Sequence, residues 1–406
     1  MNMIDTILPK IRDDISYKIL NQKPREIILF DPKGYTNVEL QLPIEIVPVL
    51  QLLNGNLGLQ QLENILQSQF GKDYDVEPLY NLFKYLDHLG FMDTLRFRTL
   101  KEELNSYLES LVRPPICAGG TYSSNPIELA AQLNNLMSKY DSNKVKKGAK
   151  AIIVPHIDFR IGDDALASYA APYHSIKESD ADLFVIFGTA HHGNSDDFMF
   201  SAKDFQTPLG DVKTDRKLLD EIKTSADFEI TIDEMAHKDE HSIELQTVLL
   251  KHFFKERDFR ILPILSGSFY NYIIDKSNPS ENLRYMKIIK AIKQSISKLN
   301  RNPIFIASGD LAHIGRKFGD NFDAEPELNR LRDEDQQLIK ALEKNKPEKF
   351  FEEISRMDDK NKICGLSPFY SLLKIIEPKK AIFYKYGQWN EIEQASAVSF
   401  TGISFY

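Results

Sequence analysis

Three apolar runs of strand length each end on residues that bind metals or carry protons, and this pattern constrains the fold more than any other feature. Asp182-Leu-Phe-Val-Ile-Phe-Gly-Thr-Ala-His-His-Gly193 delivers His191 and His192 directly after an apolar core. Ala151-Ile-Ile-Val-Pro-His156 stops on a histidine, and Pro303-Ile-Phe-Ile-Ala-Ser-Gly-Asp-Leu-Ala-His313 stops on Asp310 and His313. In an open α/β sheet, ligands bind beyond the carboxyl ends of the strands. Three such ends converge on one pocket, and neutral imidazole is the commonest metal ligand. Alone, His156 reads as a hydrogen-bonded structural histidine; the company of the others turns the reading toward a metal site. Adjacent residues at a strand end point in different directions, so at most one of His191 and His192 faces the pocket.

From Ile116 to Tyr406 apolar strands alternate with amphipathic helices, the signature of an α/β layered fold. Strands are expected at Ala151–Pro155, Leu183–Phe187, Phe198–Ser201, Ile261–Leu265, Ile304–Ala307, Ile382–Tyr386 and Ala397–Phe405. Helices are expected between them, among them His241–Phe254, Glu325–Lys344 and Leu366–Ile376. Leu111-Val-Arg-Pro-Pro115 reads as a linker, because paired prolines cannot continue a helix. The expected domains are therefore residues 1–113 and 114–406.

The first domain has a different texture. Glu26-Ile-Ile-Leu-Phe30 and Val38-Glu-Leu-Gln-Leu42 read as short strands around the turn Asp31-Pro-Lys-Gly34. Helical patterns follow at Ile44–Leu53, Leu57–Phe70 and Val76–Leu89, closed by Gly55, Gly71 and Gly90. Phe91–Phe97 reads as a closing strand, which makes a small α+β, winged-helix-like module. Such modules often bind DNA, but residues 1–113 hold 12 Lys+Arg against 16 Asp+Glu. A DNA reader needs a cationic face, so peptide or protein binding is the better use, with a scaffold or dimerisation role as the plain alternative.

The whole chain carries a formal charge of −8 and no basic block, which argues against nucleic-acid and anionic-membrane partners. No signal-peptide pattern opens the sequence and no apolar run is long enough to span a membrane. The only cysteines are Cys117 and Cys364, so a reducing, cytoplasmic setting fits, with a single bridge between them left open.

Two further segments carry chemistry. His241 lies in Asp239-Glu-His-Ser-Ile-Glu244 at the expected start of a helix, where Asp239 and Glu240 have an ordinary role facing the dipole. An imidazolium is disfavoured there, which suits His241 as a neutral base or ligand. Cys364 lies in Ile363-Cys-Gly-Leu-Ser-Pro-Phe369, where a helix N-terminus would lower the thiol pKa and favour the metal-binding thiolate. A small buried cysteine is the ordinary reading. Five of the nine histidines sit at strand ends or helix starts, which scatter does not often produce.

These motifs, in this order, resemble the Memo family, called AmmeMemoRadiSam system protein B in prokaryotes, whose fold is related to class III (LigB-type) extradiol dioxygenases. The likeness runs from Ala118-Gly-Gly-Thr-Tyr122 to the C-terminus through Pro155-His-Ile-Asp-Phe159, Gly188-Thr-Ala-His-His192, Glu240-His-Ser-Ile-Glu244, Ser308-Gly-Asp-Leu-Ala-His313 and Ile363-Cys-Gly365. The resemblance implies a layered sheet with helices on both faces and metal ligands at His156, His191 and Cys364. His241 takes the position of the dioxygenases' acid/base histidine, with Asp239 or Glu240 beside it, and His192 and Asp310 face the substrate or support the ligands. It further implies iron or copper, with zinc as the alternative. The implied partners are a radical SAM protein and an AMMECR1-like protein. The function implied is a redox-active oxidoreductase; a peptide-presenting adaptor and a zinc-dependent hydrolase are the rivals. Departures occur at Ile157-Asp158, where the family has Ala-Gly, and at Leu366-Ser367, where it often has Arg-His. The first domain resembles PqqD-like modules, which implies a precursor peptide added at a sheet edge.

Overall fold

The structure is a computed structural model that describes residues 7–20, 24–70, 76–191 and 196–406. The chain divides into two compact units, Met1–Ser110 and Leu111–Tyr406.

In the first unit Ser16–Leu20, Glu26–Phe30 and Leu40–Pro43 form an antiparallel sheet in that order. Ile27 and Leu29 alternate into a core shared with Leu50, Leu62, Leu66, Phe83 and Leu86, the period-two burial of a sheet covered on one face. The expected closing strand at Phe91–Phe97 is absent. Met92 makes only a single bridge to Ile11, and a helix starts at Leu95 and runs to Glu109. Thr94 is extended at its N-cap, and Leu, Arg, Lys and Glu dominate the fifteen residues that follow, all strong helix formers. The pairing of Ser16–Leu20 with Glu26–Phe30 was not expected from the sequence.

The second unit is built on a nine-stranded mixed sheet. Its order is His313–Gly315, Ser396–Phe405, Ala151–Val154, Pro303–Ser308, Leu183–Thr189, Arg260–Ser266 and Phe198–Phe200. Ala381–Glu391 pairs on Ser396–Phe405, and Lys213–Thr214 on Arg260–Ser266. The four central strands Ala151–Val154, Pro303–Ser308, Leu183–Thr189 and Arg260–Ser266 are parallel. Buried on both faces, they read as continuous apolar runs.

Alternate residues feed two separate cores. Ile153, Val185 and Phe187 pack on one side with Leu219, Ile292, Leu338, Phe350 and Phe369; Ile152, Phe184 and Ile186 pack on the other with Leu133, Tyr169 and Leu249. Helices thus cover both faces, as expected. All seven expected strands are present, with ends displaced by a few residues. The helix expected from His241 begins later, at Glu244.

Candidate metal centre

Parallel pairing sets Ser308 opposite both Val154 and Gly188, so three neighbouring strands end abreast. The residues just beyond those ends are His156, Asp310 and His191, with Asp310 on the middle strand. A ligand pocket at carboxyl strand ends is what this topology favours. The rings of His156, His191 and His241 lie with each pair of centroids 4.9 Å apart. Cys364 arrives from the far end of the sequence, its Sγ 3.3 Å from His156 Nε2. Two glycines permit that approach. A Cβ on Gly309 would come within 2.6 Å of Gly365 Cα, and one on Gly365 would come within 2.6 Å of the Asp310 carbonyl.

One flank of the cluster is made by residues 240–244. A Cβ on Gly188 would meet Ser242 Oγ at 2.6 Å, so glycine lets this segment lie against the strand. Glu240 is buried, and its carboxylate accepts bonds from His191 N at 2.8 Å, His191 Nδ1 at 3.0 Å and Ser242 N at 2.9 Å. Burial alone would raise its pKa; the His191 hydrogen bonds and charge outweigh burial and hold it below the ordinary carboxylate range. Burial would lower His191, and Glu240 instead lifts it above its ordinary value. His241 Nδ1 lies 3.3 Å from Glu240 Oε1, with 38% of the side chain exposed. His241 precedes the turn at Ser242 and Ile243 that leads into the helix at Glu244. Glu240 spends its oxygens on His191 and Ser242 and does not cap the helix.

The other flank is Asp310, His313 and Cys364. Asp310 Oδ1 accepts from His156 N at 3.2 Å, and Oδ2 lies 3.6 Å from His156 Nε2. Burial pushes this carboxyl up to about 7. His313 Nδ1 bonds the Lys362 carbonyl at 3.1 Å, and burial lowers its pKa to about 4. The Cys364 thiol is pushed well above its ordinary value, first by burial and then by the Asp310 charge. The lowered thiol pKa expected from a helix N-terminus is not found. The helix begins at Leu366 with Gly365 as its N-cap, so Sγ receives one amide, Asp310 N at 3.2 Å, from another segment.

Donor atoms of His156, His191 and Cys364 lie within 4.8 Å of one another, as do those of His191, Glu240 and His241 and those of Asp310, His313 and Cys364. Two imidazoles and a thiol at this spacing fit a transition-metal ion, because such an ion deprotonates a coordinating thiol outright. The Glu240–His191 contact is the carboxylate support that metal-bound imidazoles commonly have.

Asp239, chosen from the sequence, is not brought into this cluster. It pairs with Lys238 at 3.1 Å and is 40% exposed. His192 lies outside the described residues.

The cluster opens into a cavity of about 840 Å³ lined also by Asp158, Arg160, Leu245, Lys317, Phe318 and Trp389. Lys317 Nζ bonds Glu391 at 2.7 Å and lies over the Trp389 ring. Asp158 pairs with Arg160. Sequence reasoning missed Trp389, Phe318 and Lys317; that Trp389 is the only tryptophan in the chain was the one available signal.

A profile for the family described as Memo-like protein matches residues 113–404. A "MEMO1 family protein" of Aquifex aeolicus is 30% identical over 388 residues, 94% of this chain and 96% of the relative, so the match extends through both units. Archaeal relatives bearing the same description match less of this chain. That of Pyrococcus abyssi is 30% identical over 63% of this chain and 84% of its own length. That of Methanosarcina barkeri is 26% identical over 64% and 86%.

Proposed function

The chain belongs to the Memo-like protein family, and from that premise we propose that its second unit is a metal-dependent oxidoreductase using one iron or copper ion. The observation that carries the reading is the convergence of His156, His191 and Cys364 donors within 4.8 Å at the carboxyl ends of parallel strands. These three side chains would hold the ion, which would supply one-electron chemistry and an open coordination position for a substrate oxygen. Glu240 fixes the His191 ring through Nδ1, leaving Nε2 for the ion. His241 lies at the cavity wall and in contact with Glu240, so it can hold a proton at the pocket edge and pass it to solvent. Asp310, with its pKa near neutrality in the metal-free chain, is a second proton carrier. Phe318 and Trp389 offer apolar, flat surface to a substrate of small-molecule size.

The test is elemental analysis of the protein purified without added metal, with Cys364→Ser beside it. Near-stoichiometric iron or copper lost in the variant supports the proposal. Tight zinc with esterase or amidase activity would replace it with hydrolysis.

A second reading concerns the first unit. Among the described residues Ser16–Leu20 is an edge strand, with Tyr17 47% and Ile19 50% exposed. An open edge can take an added peptide strand, and in this reading the unit presents a precursor peptide while a radical SAM protein and an AMMECR1-like protein act as partners. Co-purification with those partners, lost on placing proline in Ser16–Leu20, is the supporting result.

A further inference from the structure

Arg113 falls in the stretch that paired prolines mark as a linker, yet it is 0% exposed. Val112–Arg113 pairs with Asp204–Phe205 as a short parallel strand, which points the guanidinium into the second unit. There Nη1 bonds Glu244 Oε2 at 2.6 Å and the Pro114 carbonyl at 3.2 Å. Nε donates to the His237 carbonyl at 2.6 Å and Nη2 to the Glu240 carbonyl at 2.7 Å. Glu244 is equally buried, and it also accepts from Ile116 N, Cys117 N and Tyr122 OH at 3.0, 2.8 and 2.6 Å. Two of the three carbonyls that Arg113 grips, those of His237 and Glu240, bracket residues 237–240, and the second belongs to the residue whose carboxylate holds His191 N and Nδ1.

A lone buried ion pair is weak evidence for stability, because desolvation opposes the attraction. What this pair supplies is geometry. A guanidinium presents its donors in a rigid fork, so gripping two carbonyls and a carboxylate at once fixes the backbone at Glu240. Lysine could keep the charge but would offer its donors from a single nitrogen, not from three fixed ones.

We infer that Arg113 and Glu244 are positioning residues that set the Glu240 carboxylate and, through it, the orientation of His191. This deepens the metal-site reading and rests on it for its consequence, though not for its geometry. Residues 113–122 and 237–244 thus form one brace around the site, reaching the ion only through Glu240.

The experiment uses the full chain with Arg113→Lys, Glu240→Ala and the double variant. Two readouts are taken: amide hydrogen exchange at His191 in metal-free protein, and affinity for added copper by titration. Arg113→Lys is expected to speed His191 exchange severalfold and weaken copper binding about tenfold, the usual size of an outer support. In the Glu240→Ala background, which removes the acceptor for His191, it should add nothing, because the brace acts through that side chain. A folded Arg113→Lys with both readouts unchanged overturns the inference, and so does an equal loss on top of Glu240→Ala. Tyr122→Phe, which removes one bond to Glu244 and no charge, is the milder probe where Arg113→Lys does not fold. It should move both readouts the same way by a smaller factor, and no movement counts against the brace. Absence of copper binding by the unaltered chain would remove the metal reading, while His191 exchange would still decide this inference.

Discussion

Glu240 and Asp310 are buried carboxylates on opposite flanks of the same histidine cluster, 2% and 3% exposed. Glu240 receives two backbone amides and an imidazole, and its pKa falls below the ordinary range despite burial. Asp310 receives one backbone amide, and burial carries it up to about 7. Near-equal burial therefore accompanies opposite pKa shifts, and the number of donors decides between them. The satisfied carboxylate is committed to orienting a ligand. The under-satisfied one, beside His156 Nε2 and Cys364 Sγ, answers to whatever positive charge arrives, proton or metal.

The largest effect should come from the shared centre. Cys364→Ser should reduce bound iron or copper from about one ion per chain to background, because serine offers no soft thiolate; elemental analysis reads this directly. Retention of metal would break the comparison, since the ion would then be held without the sulfur of the Asp310 flank. Glu240→Gln should keep the ion but weaken it by about tenfold to a hundredfold, measured by competition with a chelator. A neutral amide still accepts from His191, so total loss would mean that Glu240 is itself a ligand.

Asp310→Asn sharpens the other flank. In metal-free protein the raised pKa means that protonation favours the folded chain. That contribution is complete below about pH 4, near the ordinary value of 3.8, and is lost as pH rises through about 7. Thermal or urea unfolding of the stripped protein should therefore show wild type losing a few kcal/mol against Asp310→Asn between pH 5 and pH 8. Parallel curves would show that the carboxylate has found a partner at both pH values. The smallest effect belongs to Asp239→Asn. Although adjacent to Glu240, Asp239 is 40% exposed and pairs with Lys238, so metal affinity and stability should both stay within about 0.5 kcal/mol.

Asp239 and Glu240 also mark how far the sequence could be read. Their neighbourhood is visible from Glu240-His-Ser-Ile-Glu244, but which of the two turns inward depends on a loop lying against Gly188. The central strands were legible because burial on both faces makes continuous apolar runs, and the residues after Val154, Ser308 and Thr189 follow from parallel topology. Cys364 reaches them from another segment, and its pKa was misread because the helix begins beyond it, at Leu366. Arg113 was hidden by Pro114 and Pro115, which signal a linker while the preceding residues pair with Asp204–Phe205. Phe91–Phe97 looked like a strand by composition, and the helix formers that follow Thr94 prevailed. Trp389 stands on a long antiparallel strand far from every motif, so only folding brings it to the cavity.

The account stands on sulfur and imidazole sharing one ion, and X-ray absorption at the metal edge of copper- or iron-loaded protein tests that most directly. It should show one sulfur at about 2.3 Å with nitrogen neighbours near 2.0 Å. A coordination shell of nitrogen and oxygen alone in the unaltered protein would contradict it.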